Sequence, residues 1–336
     1  MPGKVPLVRR YVFSELLSID RLLAGETLAL LSSRRIQLYV AITPPVRRRA
    51  VEIVDGCRAA GVAVGVWPMI DDGRGRWASA WTGGVFADYT RELVAELDAA
   101  DRRPDELLLD LEPPIALTRA LLAVGRPDPH RPPPRAGARA LRVLADELDR
   151  AGLAVTAAAH PWAVCGRSCR GWQRAMGTPV DGMPSRRVFA MAYTSLIEGY
   201  SRGLLRRRDA EAMLAAWTTG ARAHLGPAAG VALGAVGVGA LGDERCYRDP
   251  DELGRDVAIA RAAGVDQLAL FDLAGVLDRP PAAAWLDALC ADGGVTVSPP
   301  RTVRAGAVLG TTAAAGRLFD RLLARRDRQS AALPKQ

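Results

Sequence analysis

Eight short apolar runs, each followed by a stretch of helical character, punctuate this chain, and that alternation restricts its possible folds more than any other feature. The runs are Leu7–Phe13, Gln37–Ile42, Ala63–Met69, Glu106–Leu111, Ala154–Ala159, Val188–Tyr193, Val231–Val238 and Gln267–Asp272. Helical periodicity covers Ile19–Ser32, Val46–Ala60, Phe86–Ala100, Gly137–Ala151, Arg170–Met176, Asp209–His224, Asp251–Ala263 and Ala282–Cys290. Gly61, Gly152 and Gly264 closely follow helical runs, where a left-handed C-cap conformation favours glycine. Strands that alternate with helices pair in parallel and are covered on both faces, so they read as nearly continuous hydrophobic runs. A doubly wound open sheet is the rival architecture. Eight units, polar residues at most strand C-terminal ends, and no glycine-rich phosphate fingerprint after the first strand favour a closed (β/α)8 TIM barrel of the α/β class.

The barrel is expected to occupy residues 1–291 as a single domain with an inserted loop after the fourth strand. That loop comprises Pro113-Pro114, a helical run Ile115–Val124 and a proline-rich passage from Arg126 to Arg135. It is placed at the C-terminal face, because barrel chemistry sits among such loops, with a mere spacer as the alternative. Residues 292–336 read as a C-terminal extension, with one amphipathic run, Ala313–Arg325, packed on the outside of the barrel and a flexible tail.

Composition excludes several classes. With 49% hydrophobic residues over 336 positions, the chain can offset its ordering entropy by burial, so disorder is not its main state. No stretch reaches the roughly 18 uninterrupted apolar residues of a membrane span, and the longest apolar passage, Pro227–Leu241, is interrupted by glycines. The net charge is +8, yet every basic residue except Lys4 and Lys335 is arginine, and asparagine is absent. That skew matches GC-rich coding, so the charge is discounted as a functional signal. Arg47–Arg49 and Arg206–Arg208 lack interleaved aromatics and read as solvated faces, and no nucleic-acid partner is expected. The N-terminal residues show no apolar run with a cleavage site, so a cytoplasmic location is expected. The five cysteines lack zinc-finger spacing. Cys165 and Cys169 are expected to be reduced loop thiols, with a local disulfide or half a metal site as alternatives. No cofactor is implied.

In a barrel the reactive face lies at the strand C-terminal ends. Those ends carry Glu15, Thr43, Trp67, Asp71, Asp72, Asp110, Glu112, His160, Trp162, Tyr193, Thr194, Glu198, Glu244 and Asp272. Acids and aromatics together suit a polar, ring-shaped ligand. The sharpest element is Leu107-Leu108-Leu109-Asp110-Leu111-Glu112. Strand side chains alternate, so Asp110 and Glu112 share a face while the leucines between them face the helical shell. Leucine on both sides raises the cost of charging an acid, and a protonated acid beside an ionised one is what glycosidic cleavage needs. The alternative is a Glu112 that only caps the strand and pairs with an arginine.

The passage Asp105-Glu-Leu-Leu-Leu-Asp110-Leu-Glu112 resembles the Asp-x-x-Asp-x-Asp-x-Glu signature of the family 18 glycoside hydrolases, the chitinase-like barrels, with Leu108 at the second acidic position. Met191-Ala192-Tyr193-Thr194 resembles that family's Met-x-Tyr-Asp, with Thr194 in place of the aspartate. The resemblance implies that Glu112 protonates the leaving oxygen. It also implies that Asp110 orients a substrate acetamido group and that Tyr193 hydrogen-bonds that group as it attacks the anomeric carbon. The departures also bear on function. Leu108 deprives Asp110 of a buried acidic partner, and the family's eighth-strand tryptophan corresponds at best to Phe271.

Trp67, Asp71, Trp77, Trp81, His160, Trp162, Glu198 and Asp272 are expected to bind substrate, with Trp77 and Trp81 as sugar-stacking platforms or, alternatively, a packed lid. The aromatics cluster in the third, fifth and sixth units, which points to a short glycoside rather than a threaded polymer. Two rivals stand beside this reading. One is a metal-dependent lyase or isomerase using His160 with Asp110, Glu112 and Asp272. The other is a non-catalytic carbohydrate-binding barrel, suggested by the acids missing at Leu108 and Thr194.

Overall fold

The computed structural model describes residues 9–124, 133–166, 168–291 and 298–332. Its strands are β1 (Arg9–Ser14), β2 (Gln37–Ile42), β3 (Val64–Pro68) and β4 (Glu106–Leu111), followed by β5 (Ala154–Ala159), β6 (Ser185–Met191), β7 (Ala229–Gly234) and β8 (Gln267–Phe271). Each strand pairs in parallel with the next, and β1 pairs with β8, so the sheet closes into a barrel of eight strands. No helix among the described residues is long and apolar enough to cross a membrane.

Strand parity sorts the side chains into two cores. Leu107, Leu109 and Leu111 of β4 belong to the layer between sheet and helices, as do Val12, Leu38 and Val40. Tyr11, Phe13, Tyr39, Trp67, Leu108 and Phe189 form a second cluster inside the barrel. Aromatic rings fill the lower interior, where Tyr11 and Phe189 meet edge-on at 5.2 Å and Phe13 and Phe189 at 5.8 Å.

Below these rings lies a buried ion cluster. Arg187, 1% exposed, pairs with Glu106 and donates to the Tyr39 hydroxyl at 3.0 Å and to Gln267 Oε1 at 2.7 Å. Tyr39 and Thr156 each donate to Glu106 Oε2, at 2.5 and 2.8 Å. Burial pushes the Glu106 carboxyl up, but Arg187, Tyr39 and Thr156 outweigh it and hold the group below the usual carboxylate range. This cluster explains why β6 begins at Ser185 and not at Val188: Arg186 and Arg187 read as polar loop residues until Glu106 supplies a partner.

Other differences are local. The apolar run at 231–238 outlasts β7, which ends at Gly234, because Val236 lies beyond the sheet and packs in the outer core. The expected helix Ile19–Ser32 is two helices, Ile19–Leu22 and Gly25–Ser33. Much of the proline-rich passage from Arg126 to Arg135 lies outside the described residues, while the helix Ile115–Val124 after β4 is present. The C-terminal helical run extends over Val303–Ala332 and packs on the helix Cys169–Met176, where Gly171 approaches the Gly316 backbone too closely for a side chain.

Removing one partner of a buried pair costs roughly 3–5 kcal/mol, against less than about 1 kcal/mol for an exposed one. Arg187→Met should therefore lower unfolding stability in urea by about 3–5 kcal/mol. Arg47→Met, which breaks surface pairs with Glu92 and Glu96, should cost under about 1 kcal/mol. Equal losses in the two variants would contradict this account of the barrel floor.

Candidate active site

The alternation that buries Leu108 carries Asp110 and then Glu112 up the same inner face of β4. On β1 the series Tyr11, Phe13, Glu15 climbs in the same way, as do Ala158 and His160 from β5, and Phe189, Met191 and Tyr193 from β6. The upper members of these series meet in a cavity of about 370 Å³ at the C-terminal mouth, walled by Trp67, Trp77 and Trp162. Its volume is at the low end of the roughly 300–1,000 Å³ typical of small-molecule sites.

A displaced loop completes the wall. β3 and β4 pair only at Gly65–Glu106 and Val66–Leu107, and then separate. The chain after β3 fills the gap: Ala78 N donates to the Asp110 carbonyl at 2.9 Å, and Glu112 N donates to the Ala78 carbonyl at 3.2 Å. That insertion carries Trp77 to the cavity and Arg76 to Glu15. Gly75 turns the loop at φ +114°, a conformation that disfavours any side chain.

Three carboxyls now share a space with few counter-charges. Burial is the main cause of a raised Glu15 pKa, about 7, although Arg76 donates to Glu15 Oε1 at 3.1 and 2.6 Å and pulls it down. Burial, and then the neighbouring Glu112 and Glu15, push Asp110 well above the usual carboxylate range. Asp110 Oδ1 has no hydrogen-bond partner among the described residues, since Leu108 occupies the position beneath it. Glu112 Oε2 lies 3.1 Å from His160 Nε2, and the imidazole stacks on Trp162 at 4.7 Å. Tyr193 stacks on Phe271 at 5.6 Å, and burial followed by the adjacent Asp110 and Glu112 raises its phenol, so it remains a hydrogen-bond donor.

Of the residues expected from sequence, Glu112, Asp110, Tyr193, Trp67, Trp77, His160 and Trp162 line this cavity. Asp71, Trp81, Glu198 and Asp272 do not. Asp71 is exposed at the start of the turn Asp72–Arg74, and the Trp81 ring packs over Gly177. Glu198 lies 3.8 Å from Arg245 Nη2. Asp272 turns away to cap the helix Leu273–Asp278, accepting from Gly275 N at 3.0 Å. Thr194 also points outward, donating to buried Asp256 at 2.5 Å behind the sheet.

Glu15 was expected at the reactive face but not among the catalytic or binding residues, and its parity with Tyr11 and Phe13 is what turns it inward. Nothing in the sequence signals Arg76, which depends on the loop insertion. Trp217, from the helix Arg207–Leu225, also lines the cavity, and so do Val308 and Thr312 of the C-terminal helix, which was expected only on the barrel's outside. His160, Asp110, Glu112 and Asp272 do not gather as a metal site. Among the described residues, the group of three ligand atoms close enough to hold an ion is Cys169, Asp181 and His224, away from the cavity. None of the five cysteines is in a disulfide.

No protein-family model matches the sequence, and no curated protein matches it. Among solved structures, the chain is similar to the PgaB (BpsB) glycoside hydrolase domain from Bordetella bronchiseptica. The identity is 14% and the TM-score 0.50, over 85% of this chain and 100% of that one. It is also similar to a GH18 chitinase from Cycas revoluta in complex with (GlcNAc)4, at 12% identity and a TM-score of 0.50, over 84% of this chain and 98% of that one. At such identities the likeness is one of fold. What they share is the closed (β/α)8 barrel.

The raised carboxyls link stability to pH. The folded state keeps protons on Asp110 and Glu15 where the unfolded chain has released them, so these groups cost stability as pH rises through the carboxylate range to about 7 and above. Asp110→Asn cannot ionise, so its melting temperature should exceed that of the wild type at pH 8 and match it only at about pH 3, where the unfolded carboxyl is protonated too. An equal change at both values would show that Asp110 is ionised in the fold.

Proposed function

We propose that this chain is a glycoside hydrolase-like barrel that cleaves a short glycoside, with Glu112 as general acid and base. The observation that carries the reading is the convergence of Glu112, Asp110 and Tyr193 on one cavity whose walls are largely apolar. Glu112 is the acid best placed for proton traffic, because His160 holds one oxygen and leaves the other for a leaving group. Asp110 and Tyr193 orient an acetamido or hydroxyl group of the sugar, and the protonated Asp110 acts as a donor toward it. Trp67, Trp77 and Trp162 supply faces against which a sugar ring packs. The small cavity supports a ligand of few units.

A specific observation also favours a second reading, a carbohydrate-binding barrel without turnover. Leu108 under Asp110 and the outward-turned Thr194 leave no acid to pass a proton to Asp110 from below.

Chitin oligomers from dimer to hexamer separate the two. Under the first reading the short oligomers are cleaved about as well as the long ones. Glu112→Gln then lowers kcat about 10²–10⁴-fold, while the melting temperature changes little. Saturable binding with no product, undiminished in Glu112→Gln, would establish the second reading. Activity rising steeply with length to the hexamer would overturn the short-ligand assignment.

A further inference from the structure

We propose that Cys169, Asp181 and His224 form a zinc site that clasps the helix Cys169–Met176 to the helix Arg207–Leu225 in the outer shell. The three residues come from separate segments. Cys169 opens the first helix, Asp181 lies between that helix and β6, and His224 sits in the last turn of the second. Their ligand atoms all lie within 4.8 Å of one another.

Both neighbours address the same imidazole nitrogen. His224 Nε2 is 3.6 Å from Cys169 Sγ and 3.0 Å from Asp181 Oδ1. One imidazole nitrogen thus faces a carboxylate and a thiol together, and the three atoms surround a common point. With Zn–S near 2.3 Å and Zn–N near 2.0–2.1 Å, tetrahedral geometry sets sulfur and nitrogen about 3.5 Å apart, close to the spacing seen here. A thiolate with imidazole and carboxylate is a donor set that suits zinc over magnesium or calcium. Cys169 is buried, whereas the Asp181 and His224 side chains are 40% and 29% exposed, so an ion can enter from solvent and water can take the fourth position.

Cys165 is not assigned as a ligand, because its thiol donates to the Trp217 carbonyl at 3.0 Å. On binding, the Cys169 thiol releases its proton to solvent, and His224 keeps its proton on Nδ1 and offers Nε2 to the metal. The clasp bears on the cavity at one remove. Trp172, on the clasped helix, packs 5.8 Å from Trp162, which stacks on His160.

The test is titration of the full chain with Zn²⁺ in reducing buffer against a chromophoric chelator, and with Co²⁺ by absorption spectroscopy. The expected result is one ion per chain and a thiolate-to-cobalt charge-transfer band. Loss of an outer-shell partner typically costs about 10–100-fold in affinity, so Cys169→Ser and His224→Gln, each removing a ligand, should weaken binding by at least about 100-fold. His224 is partly exposed, so His224→Gln should keep the wild-type circular dichroism and remains informative even if Cys169→Ser does not fold. Cys165→Ser and Glu112→Gln should bind as the wild type does. Absence of saturable zinc binding, equal affinity in His224→Gln, or lost binding in Cys165→Ser or Glu112→Gln would each overturn the assignment.

Discussion

Closing eight parallel strands forces alternate side chains into an interior that water scarcely reaches, and every ionisable group placed there must be paired or give up its charge. The two ends of this barrel resolve that constraint in opposite ways. At the floor, Glu106 stays ionised because Arg187, Tyr39 and Thr156 surround it. At the mouth, Asp110 has no such partners and holds its proton, while Glu15 has one cation, Arg76, and stands between the two. The same low-dielectric interior thus holds an ionised carboxyl at its floor and charge-suppressed carboxyls at its rim. Charge at the floor contributes to the fold, and suppressed charge at the rim costs stability that a binding site can use.

The rim is assembled by elements that the barrel pattern does not include. Separation of β3 from β4 opens a gap that the chain around Ala78 fills, and this brings Arg76 and Trp77 against residues from β1 and β4. On the other side, rings connect the cavity to the outer shell: His160 stacks on Trp162, Trp162 meets Trp172 and Trp217, and Trp172 meets Phe319 of the C-terminal helix. Trp172 also donates to the Thr312 carbonyl at 2.9 Å. The C-terminal helix is therefore part of the cavity's support, and a contact between Cys169 and His224 lies along the same supporting layer.

Much of the barrel was legible because its physics is periodic. Apolar runs separated by amphipathic stretches require a sheet buried on both faces, and parity along β4 assigned Leu108, Asp110 and Glu112 to the inside and Leu107, Leu109 and Leu111 to the outside. The same rule reached Glu15, whose inward direction follows from Tyr11 and Phe13. Position along a strand, however, says nothing about a side chain beyond the strand's end. Asp272 is next after β8, yet it turns to cap a helix, and Thr194 turns outward to Asp256.

The sequence by itself determined the barrel, its strand order and the inward direction of Asp110 and Glu112, because these depend on hydrophobic periodicity, which is local. Tertiary structure alone decided that Arg187 finds Glu106, that Arg76 reaches Glu15, and that His160 meets Glu112. It alone brought Cys169, Asp181 and His224 together and laid Val308 and Thr312 along the cavity. Each of these contacts joins residues from separate elements, and its energy depends on burial and partner distance, quantities that exist only once the chain has closed.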